Sequence, residues 1–487
     1  MPPDPADYRN AILAHRAENR ADLALAAAWA AYDATPDDPF VKADLVEVLS
    51  GAADAITDDR LPALRHLLAD PSIDPASVAP AGWAYLLRFS PLFADPDPAA
   101  TAARLEADGF ARELLAQDLA TLQAEIRLTE MRRWLCLSSR WRDFPRTVEA
   151  LTQQAELNQG AWPFDAAERA TIEKDPAMAR AYRPEPPAWD GHSTTGDPVT
   201  RAVADQYEAW PYPQWRRVTV SRPTSLTDRV RKLDPDGPNI LARAPEILVA
   251  GCGTGRQAAH LALRYPDAHI TAIDLSQASL RYAAARCDEL GLTDITFHAL
   301  DLHRVADLDR RFDAVFCAGV LHHLPDPEAG WAALAEVLNP GGVMHIMVYS
   351  KIARLGVQAL RGLIADLDTG AVDDDLLRDV RRRIMARSPR GAPSSRDFYS
   401  LSGVHDLLLH RHEDPFDVTR IQRALGRLGL YLIRFDLPLP RDDARYLEAN
   451  PHDPLHRDFA AWARTEMGAP TLFARMYGFW CRKPAAS

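Results

Sequence analysis

The chain has 487 residues and a formal net charge of −12, from 56 lysines and arginines against 68 aspartates and glutamates. That length predicts two or three domains rather than a single core, and the acidic balance argues against a nucleic-acid acceptor because it repels phosphate backbones. Five scattered cysteines without metal-binding spacing, no signal-peptide pattern and no long apolar run predict a cytoplasmic protein that neither enters a membrane nor carries a structural metal.

Residues 1–180 lack strand alternation and are rich in alanine, leucine, arginine and glutamate, which predicts an N-terminal helical domain. The predicted helical segments are 8–34, 39–51, 61–68, 81–89, 98–115 and 118–138. One partial match to a tetratricopeptide repeat, without a second copy at a fixed period, is a weak signal. Two roles stay open for this domain: a cover or homodimer contact, or a platform that recognises a protein or peptide acceptor.

Residues 181–240 are predicted to form a linker and lid. Prolines are frequent in 181–200 and favour extended backbone, which marks a domain boundary. Aromatic residues then alternate with prolines from Tyr207 to Trp215, giving a stiff segment that could clasp two domains.

A short apolar run ends at Gly251, Gly253 and Gly255, and a helix-like segment follows. Glycine is needed where the backbone turns sharply or where a ligand approaches main-chain amides, and amides that open a helix favour an anionic group. The pattern therefore predicts a strand–turn–helix cradle for a ligand. A dinucleotide site would need its third glycine at Arg256, which argues against NAD and FAD.

Four more predicted strands follow at 269–274, 295–301, 312–318 and 338–348. The first two end in Asp274 and Asp301. A carboxylate at the position of Asp274 suits hydrogen bonds from ribose hydroxyls, although a helix N-cap explains it about as well.

This turn and the strands after it resemble motif I and the succeeding elements of the class I S-adenosylmethionine-dependent methyltransferases. The resemblance implies an α/β fold, a Rossmann-like seven-stranded sheet, here with an N-terminal all-helical domain and helical inserts, and S-adenosylmethionine as the cofactor. It implies that Asp274 binds the ribose, that Asp301 and Leu302 face the adenine, and that two tyrosines form part of a lid. The implied cofactor-binding residues are Tyr207, Tyr212, Gly251, Cys252, Gly253, Gly255, Asp274, Leu275, Asp301, Leu302, Ala318 and Gly319.

One position departs from the family pattern. Most members carry an acidic residue two positions before the first glycine, where this chain has Val249. The group that holds the ammonium of the cofactor must then lie elsewhere, and Asp205, Glu208 or a backbone carbonyl are the candidates.

The expected cofactor-binding core is 241–350, an inserted helical cap is 351–415, and 416–487 completes the fold with a second insert at 442–466. Because ligands of such sheets lie beyond the carboxyl ends of the strands, the cap is predicted to determine acceptor choice. Its arginines predict a solvated helix face or, less often, a dock for an acidic acceptor. They are Arg378, Arg381, Arg382, Arg383, Arg387, Arg390 and Arg396.

A general base is required only if the nucleophile must lose a proton. Histidine titrates near neutral pH, and tyrosine is a further candidate. The candidates are His322 and His323 after strand four, Tyr349 at the end of strand five, and His410 and His412 in the cap. Packing or capping roles for the paired histidines are equally open. Residues 405–414 are dense in histidine and carboxylate but lack a known metal-binding spacing, so no metal is predicted, and the preferred interpretation is that this stretch binds the acceptor or accepts its proton.

The first interpretation of function is methyl transfer to a nitrogen, oxygen or sulfur of a protein or peptide side chain, since the helical domain and the inserts favour a sizeable acceptor. The alternative is a small-molecule methyltransferase. A third interpretation, an inactive cofactor-binding interaction module, is disfavoured by the intact glycines and strand-end aspartates.

Overall fold

A computed structural model of the protein describes residues 5–49, 56–117, 119, 121–183, 197–238, 241–387, 395–437, 440–470, 472, 473 and 476–485. Most of the predicted proline-rich linker and Arg390 lie outside these residues. The N-terminal region is helical, as predicted. Its α-helices are α1 Pro5–Ala17, α2 Ala21–Ala34, α3 Pro39–Leu49, α4 Leu61–Ala69, α5 Pro75–Phe89, α6 Pro98–Ala107, α7 Gly109–Leu115, α8 Leu122–Leu137, α9 Pro145–Asn158, α10 Ala166–Ile172 and α11 Pro176–Ala179.

Two predicted helices of this region are each divided in the structure. Asn19 adopts a left-handed conformation with φ 57°, and it separates α1 from α2 within the predicted 8–34 segment. Asparagine tolerates this conformation better than most residues. Asp108 divides the predicted 98–115 segment because its side chain caps α7, accepting the amides of Phe110 and Ala111.

The rest of the chain is built on a seven-stranded sheet of order β3-β2-β1-β4-β5-β7-β6. Strands β1 to β5 are parallel and β7 runs antiparallel between β5 and β6. The strands are β1 Glu246–Ala250, β2 His269–Asp274, β3 Ile295–Ala299, β4 Phe312–Ala318, β5 Leu338–Tyr349, β6 Tyr431–Asp436 and β7 Met476–Arg482. This topology confirms the predicted Rossmann-like methyltransferase fold.

Helices cover both faces of the sheet and form the inserts. The remaining α-helices are α12 Pro198–Ala209, α13 Leu226–Leu233, α14 Arg256–Arg264, α15 Gln277–Glu289, α16 Pro327–Val337, α17 Leu355–Gly362, α18 Asp374–Arg387, α19 Leu401–Leu408, α20 Val418–Leu428, α21 Pro440–Ala449 and α22 Phe459–Gly468. None of the helices in the described ranges has both the length and the apolar character needed to cross a bilayer.

Strand β1 pairs with β2 on one side and β4 on the other, so the chain reverses its winding there and leaves a crevice at the carboxyl ends of the strands.

Two cap arginines join the cap to the N-terminal helical region. Arg381 is fully buried, and its guanidinium donates to both carboxylate oxygens of Glu125 at 2.9 and 2.8 Å. Arg381 also donates to the carbonyl of Ala161, and the neighbouring Arg378 donates to that of Gly160. The predicted solvated face is therefore wrong for these two residues, because both are buried and both donate to groups of the helical region more than 200 positions away in the chain. Arg378 also pairs with Asp374 and Asp375 on its own helix.

Candidate functional site

A cavity of about 690 Å³ opens where the parallel strands of the sheet end. Its wall contains residues at or just after the carboxyl ends of β1 to β5. These are Gly251, Cys252, Gly253, Asp274, Leu275, Ser276, Leu300, Asp301, Leu302, Ala318, Gly319, Val320 and Tyr349. The volume lies within the roughly 300–1,000 Å³ that enclose a drug-sized ligand.

The glycine turn brings its backbone to the cavity wall without side chains. Gly251 and Gly253 have φ values of 67° and 52°, a conformation that favours glycine. A Cβ atom on Gly253 would lie 3.0 Å from the carbonyl oxygen of Tyr212. Gly255 differs, since a Cβ there would meet Ala283 behind the wall at 2.5 Å. A Cβ on Gly251 would clash with the side chain of Val320. We infer that Gly253 permits close approach of a ligand, whereas Gly251 permits packing against Val320 and Gly255 permits packing of α14 against α15.

Asp274 organises the turn as well as lining the cavity. Its carboxylate accepts the amide of Gly253 at 2.7 Å and that of Ser276 at 2.9 Å. Burial raises the pKa of this carboxyl group. The amide of Cys252 donates to the carbonyl of Ile273, so two amides of the turn are already used inside the fold. The amides of Cys252 and Gly253 are therefore engaged within the fold, and the anion site stays a prediction for the amides that open α14.

Asp301 lies on the cavity wall, two residues after the end of β3. It caps the short helix that begins at Leu302, accepting the amide of His303 at 2.9 Å. A hydrogen bond from the His303 ring lowers the pKa of Asp301, so the carboxyl group stays ionised. Asp301 and Leu302 both line the cavity.

The proline-rich aromatic segment fastens to the glycine turn. The indole of Trp215 donates to the carbonyl of Thr254 at 2.7 Å, and the hydroxyl of Thr254 donates to the carbonyl of Pro213 at 2.5 Å. Tyr207 and Tyr212 lie on the cavity wall. The segment thus clasps the turn and also presents two aromatic side chains to the cavity.

The helical region completes the wall, which was not predicted from the sequence. Ser77, near the start of α5, lines the cavity. The carboxylate of Asp74 pairs with Arg256 at 2.7 Å, and the amide of Asp74 donates to the hydroxyl of Thr219 at 3.0 Å. No local pattern around Ser77 marks this role, because it depends on how two distant parts of the chain pack.

A second group of residues that sequence reasoning only partly identified lies at the β4–β5 end of the cavity. His323, Tyr349 and Asp406 line it. The hydroxyl of Tyr207 donates to Oδ1 of Asp406 at 2.7 Å, and that of Tyr349 donates to Oδ2 at 3.2 Å. Asp406 comes from α19 of the cap, within the 405–414 stretch that was predicted to bind the acceptor or accept its proton, but it was not named as a site residue. Its only signal was a position four residues before His410 in the histidine-rich stretch.

Hydrogen bonds determine which ring nitrogen carries the proton in two histidines of this group. Nδ1 of His323 lies 2.9 Å from the carbonyl oxygen of His412 and must donate to it, which leaves Nε2 of His323 as an acceptor. Nδ1 of His410 accepts the amide of His412, so Nε2 of a neutral His410 carries the proton, 3.3 Å from the hydroxyl oxygen of Tyr207. Burial lowers the pKa of His323 to about 3, so this ring is neutral at physiological pH.

The same group does not fit a metal site. Within the described ranges, His323, Asp406 and His410 are the residues whose potential ligand atoms cluster within 4.8 Å of one another. The rings of His323 and His410 stack at 3.6 Å with an angle of 18°. Nitrogen lone pairs lie in the ring plane, so two stacked rings direct them along parallel planes rather than to one ion, and His410 has no lone pair left on Nε2.

Three predicted catalytic residues lie behind the cavity wall. His322 is fully buried against Tyr349 and accepts the amide of that residue through Nδ1 at 3.2 Å. His410 stacks on His323, and His412 contributes its backbone to both neighbouring histidines. Of the five predicted candidates, the structure therefore brings only His323 and Tyr349 to the cavity.

The two side-chain candidates for the cofactor ammonium also lie outside the wall, which leaves a backbone carbonyl as the remaining candidate. Asp205 is exposed. Both oxygens of Glu208 accept amides at the start of α15, from Gln277 at 2.6 Å and Ala278 at 3.0 Å. Glu208 therefore caps that helix instead of facing the cavity.

Comparisons with known proteins identify the domain that contains this cavity. A methyltransferase domain family model matches residues 247–342. An uncharacterized protein of Synechococcus sp. is 41% identical over 263 residues, which cover 49% of this chain and 60% of the relative. The ubiquinone biosynthesis O-methyltransferase of Alkalilimnicola ehrlichii is 38% identical over 109 residues, 22% of this chain and 42% of that enzyme.

Among solved structures, PKMT2 from Rickettsia typhi in complex with AdoHcy is 15% identical, with a TM-score of 0.39, covering 54% of this chain and 55% of that one. A likeness at that level carries no argument about function. The chain thus spans 60% or less of the length of these relatives. The match in sequence, together with the strand order and the glycine turn, shows that residues 247–342 belong to the methyltransferase domain family, within the class I S-adenosylmethionine-dependent methyltransferases.

Proposed function

We propose that the protein binds S-adenosylmethionine in the 690 Å³ cavity and transfers its methyl group to a nucleophilic side chain of a protein or peptide. The observation that carries the proposal is the position of this cavity, at the carboxyl ends of β1 to β5 and directly on the glycine turn of the methyltransferase domain. When bound, the cofactor supplies a methyl group on a sulfonium sulfur, and the thioether that remains after transfer is a good leaving group.

The residues of the cavity fit this cofactor. Gly253 leaves space at the turn, and we assign Asp274 to the ribose and Asp301 with Leu302 to the adenine because these residues all line the cavity. The enzyme's own contribution is then to align the acceptor and to exclude water, which lowers the barrier through proximity.

The size of the cavity and the helical region support a side chain as the acceptor. Pockets of roughly 300–1,000 Å³ hold one drug-sized ligand, so a cofactor in this 690 Å³ cavity leaves space for a slender acceptor group rather than for a second large ligand. The helical region contributes Ser77 to the wall of the cavity, so this region adjoins the site where the acceptor would bind. A small-molecule acceptor is the second candidate, favoured by the match to a ubiquinone biosynthesis O-methyltransferase. Cytoplasmic location and a homodimer stay predictions.

A labelling experiment distinguishes these proposals. The purified full-length protein is incubated with a cell extract and S-adenosylmethionine labelled in its methyl group. Label in macromolecules is the expected result. Label confined to the small-molecule fraction would favour the second candidate, and absence of any transfer would contradict the proposed activity.

Replacement of Asp274 by alanine is expected to weaken binding of S-adenosylmethionine about 10- to 100-fold. Each hydrogen bond to a charged group contributes about 1.5–3 kcal/mol, and the same carboxylate also holds the amide of Gly253. Calorimetry measures the affinity, and Asp267→Ala, at an exposed aspartate just before β2, is the matched control. An unchanged affinity in Asp274→Ala would contradict the ribose assignment.

A further inference from the structure

Asp406 is a buried carboxylate that faces the cavity without a cationic partner. It is 5% exposed, and its oxygens accept hydrogen bonds from Tyr207 and Tyr349. Burial raises the pKa of both phenols well above their usual value, so these donors are neutral. In the part of the chain that the structure describes, no lysine, arginine or histidine forms an ion pair with Asp406. A buried charge without a partner is costly, so a ligand that supplies one is favoured.

The nearest cations already have partners of their own. Arg354 lies over the Tyr349 ring, 4.3 Å from its centroid, and pairs with Glu413. Arg361 pairs with the same carboxylate at 2.9 Å. Both arginines therefore contact Glu413 and not Asp406, although the charge of Arg354 still lowers the pKa of Asp406 from a distance.

The surroundings of Asp406 offer acceptors and few donors. Nε2 of His323 is an acceptor, and the hydroxyl hydrogens of Tyr207 and Tyr349 are directed to the Asp406 carboxylate. An ammonium group has three donors, one positive charge and no acceptor, so it complements this end of the cavity. A hydroxyl or thiol acceptor would leave the carboxylate charge uncompensated.

From this pattern of charge and hydrogen bonding, we infer that the methyl acceptor is an aliphatic amine, which the Asp406 carboxylate binds as its ammonium ion beside Tyr207 and Tyr349. The inference rests on the proposed methyltransferase function and names the chemical class of its acceptor. The bound ammonium transfers one proton to Asp406: an N–H bond breaks, an O–H bond forms on the carboxylate, and a neutral amine with a free lone pair is left. Asp406 is in this scheme a catalytic residue, because it contacts the acceptor nitrogen.

A binding experiment tests the inference independently of turnover. The full-length protein is saturated with S-adenosylhomocysteine, and calorimetry compares n-pentylammonium with n-pentanol as probes. We expect the ammonium probe to bind at least about tenfold more tightly than the alcohol, and Asp406→Asn to abolish this preference. The matched control is Asp397→Asn, since Asp397 also accepts a tyrosine hydroxyl at 2.7 Å, from Tyr212, but does not line this cavity. Equal affinities of the two probes for the unmodified protein, or a preference that survives in Asp406→Asn, would overturn the inference.

The cofactor itself carries an ammonium group. A second binding experiment therefore distinguishes whether Asp406 binds the ammonium of the cofactor or that of the acceptor. Asp406→Asn is expected to bind S-adenosylhomocysteine and 5′-methylthioadenosine, which lacks the amino-acid part, as tightly as the unmodified protein does. A selective loss of S-adenosylhomocysteine affinity would place the cofactor's ammonium at Asp406 and refute an acceptor role. Failure of the unmodified protein to bind either nucleoside would refute the proposed function itself.

The pH dependence of the unmodified protein gives a test that needs no variant. Burial raises the pKa of Asp406 to about 6, whereas pentylammonium stays protonated between pH 4.5 and 7.5. Affinity for the ammonium probe is therefore expected to fall about tenfold for each pH unit below 6, as the carboxylate takes up a proton and loses its charge. The charged and titratable groups around Asp406 are Tyr207, Tyr212, His323, Tyr349, Arg354, Asp397 and His410.

Of these neighbours, His323 has a pKa of about 3 and burial lowers that of His410, so both stay neutral in this window. A pH-independent affinity between pH 4.5 and 7.5 would contradict the role of Asp406.

Discussion

Replacing Gly253 with valine is expected to reduce affinity for S-adenosylmethionine by at least about 100-fold, equivalent to about 2.7 kcal/mol. Gly253 has a φ of 52°, where a β-branched residue costs roughly 1–3 kcal/mol in backbone strain. Its added Cβ would lie 3.0 Å from the backbone carbonyl oxygen of Tyr212, and the valine methyl groups would extend from the wall of the cavity. Strain and lost space therefore act together on the same turn.

Calorimetry with S-adenosylhomocysteine measures this loss, and circular dichroism checks that the helical region stays folded. Gly291→Val is a matched control, because Gly291 has a φ of 70° but a Cβ there would meet no atom within 4 Å. It carries the backbone strain without the contact at the cavity. Normal cofactor affinity in Gly253→Val, or an equal loss in both variants, would contradict the role assigned to the glycine turn.

Replacing Arg381 with methionine is expected to lower the free energy of unfolding by roughly 3–5 kcal/mol, the usual cost of removing one partner from a buried ion pair. Glu125 would keep a buried charge with no counterion, and the carbonyls of Ala161 and Phe398 would each lose a donor. Methionine retains much of the side-chain volume, so the change reports on the charge and hydrogen bonds more than on a cavity.

Urea denaturation followed by circular dichroism measures the effect. Arg382→Met is the matched control on the same helix, since Arg382 is largely exposed and pairs with Asp379 at the surface. A change within about 0.5 kcal/mol is expected there. Similar losses in both variants would indicate that the ion pair with Glu125 does not join the cap to the helical region.

This joint matters for the site because the cap supplies Asp406. Arg381 lies on α18, and α18 and α19 share a buried core that includes Val380, Ile384 and Val404. The position of α19, and with it Asp406, therefore depends on contacts between the cap and the N-terminal helices. The helical region is thus part of the support of the site in addition to forming its wall at Ser77.

Local patterns in the sequence were sufficient for the fold of the core. Apolar runs followed by glycine or aspartate marked the strand ends, and the structure has strands at all five of the places predicted up to residue 348, with ends shifted by up to a few residues. These features are local, because a strand and its turn are determined by neighbouring residues. Gly251, Gly253, Asp274 and Asp301 were identified for that reason, and all four line the cavity.

Only the tertiary structure decided which residues come together at the acceptor end of the site and which partners the cap arginines have. Tyr207 and Asp406 are 199 positions apart and Arg381 and Glu125 are 256 apart, so no periodicity or spacing links them. Arg381 and Arg382 are adjacent in sequence, yet one is fully buried and the other exposed. The physical reason is that burial and charge pairing are properties of two surfaces in contact, whereas a sequence pattern describes only one of them.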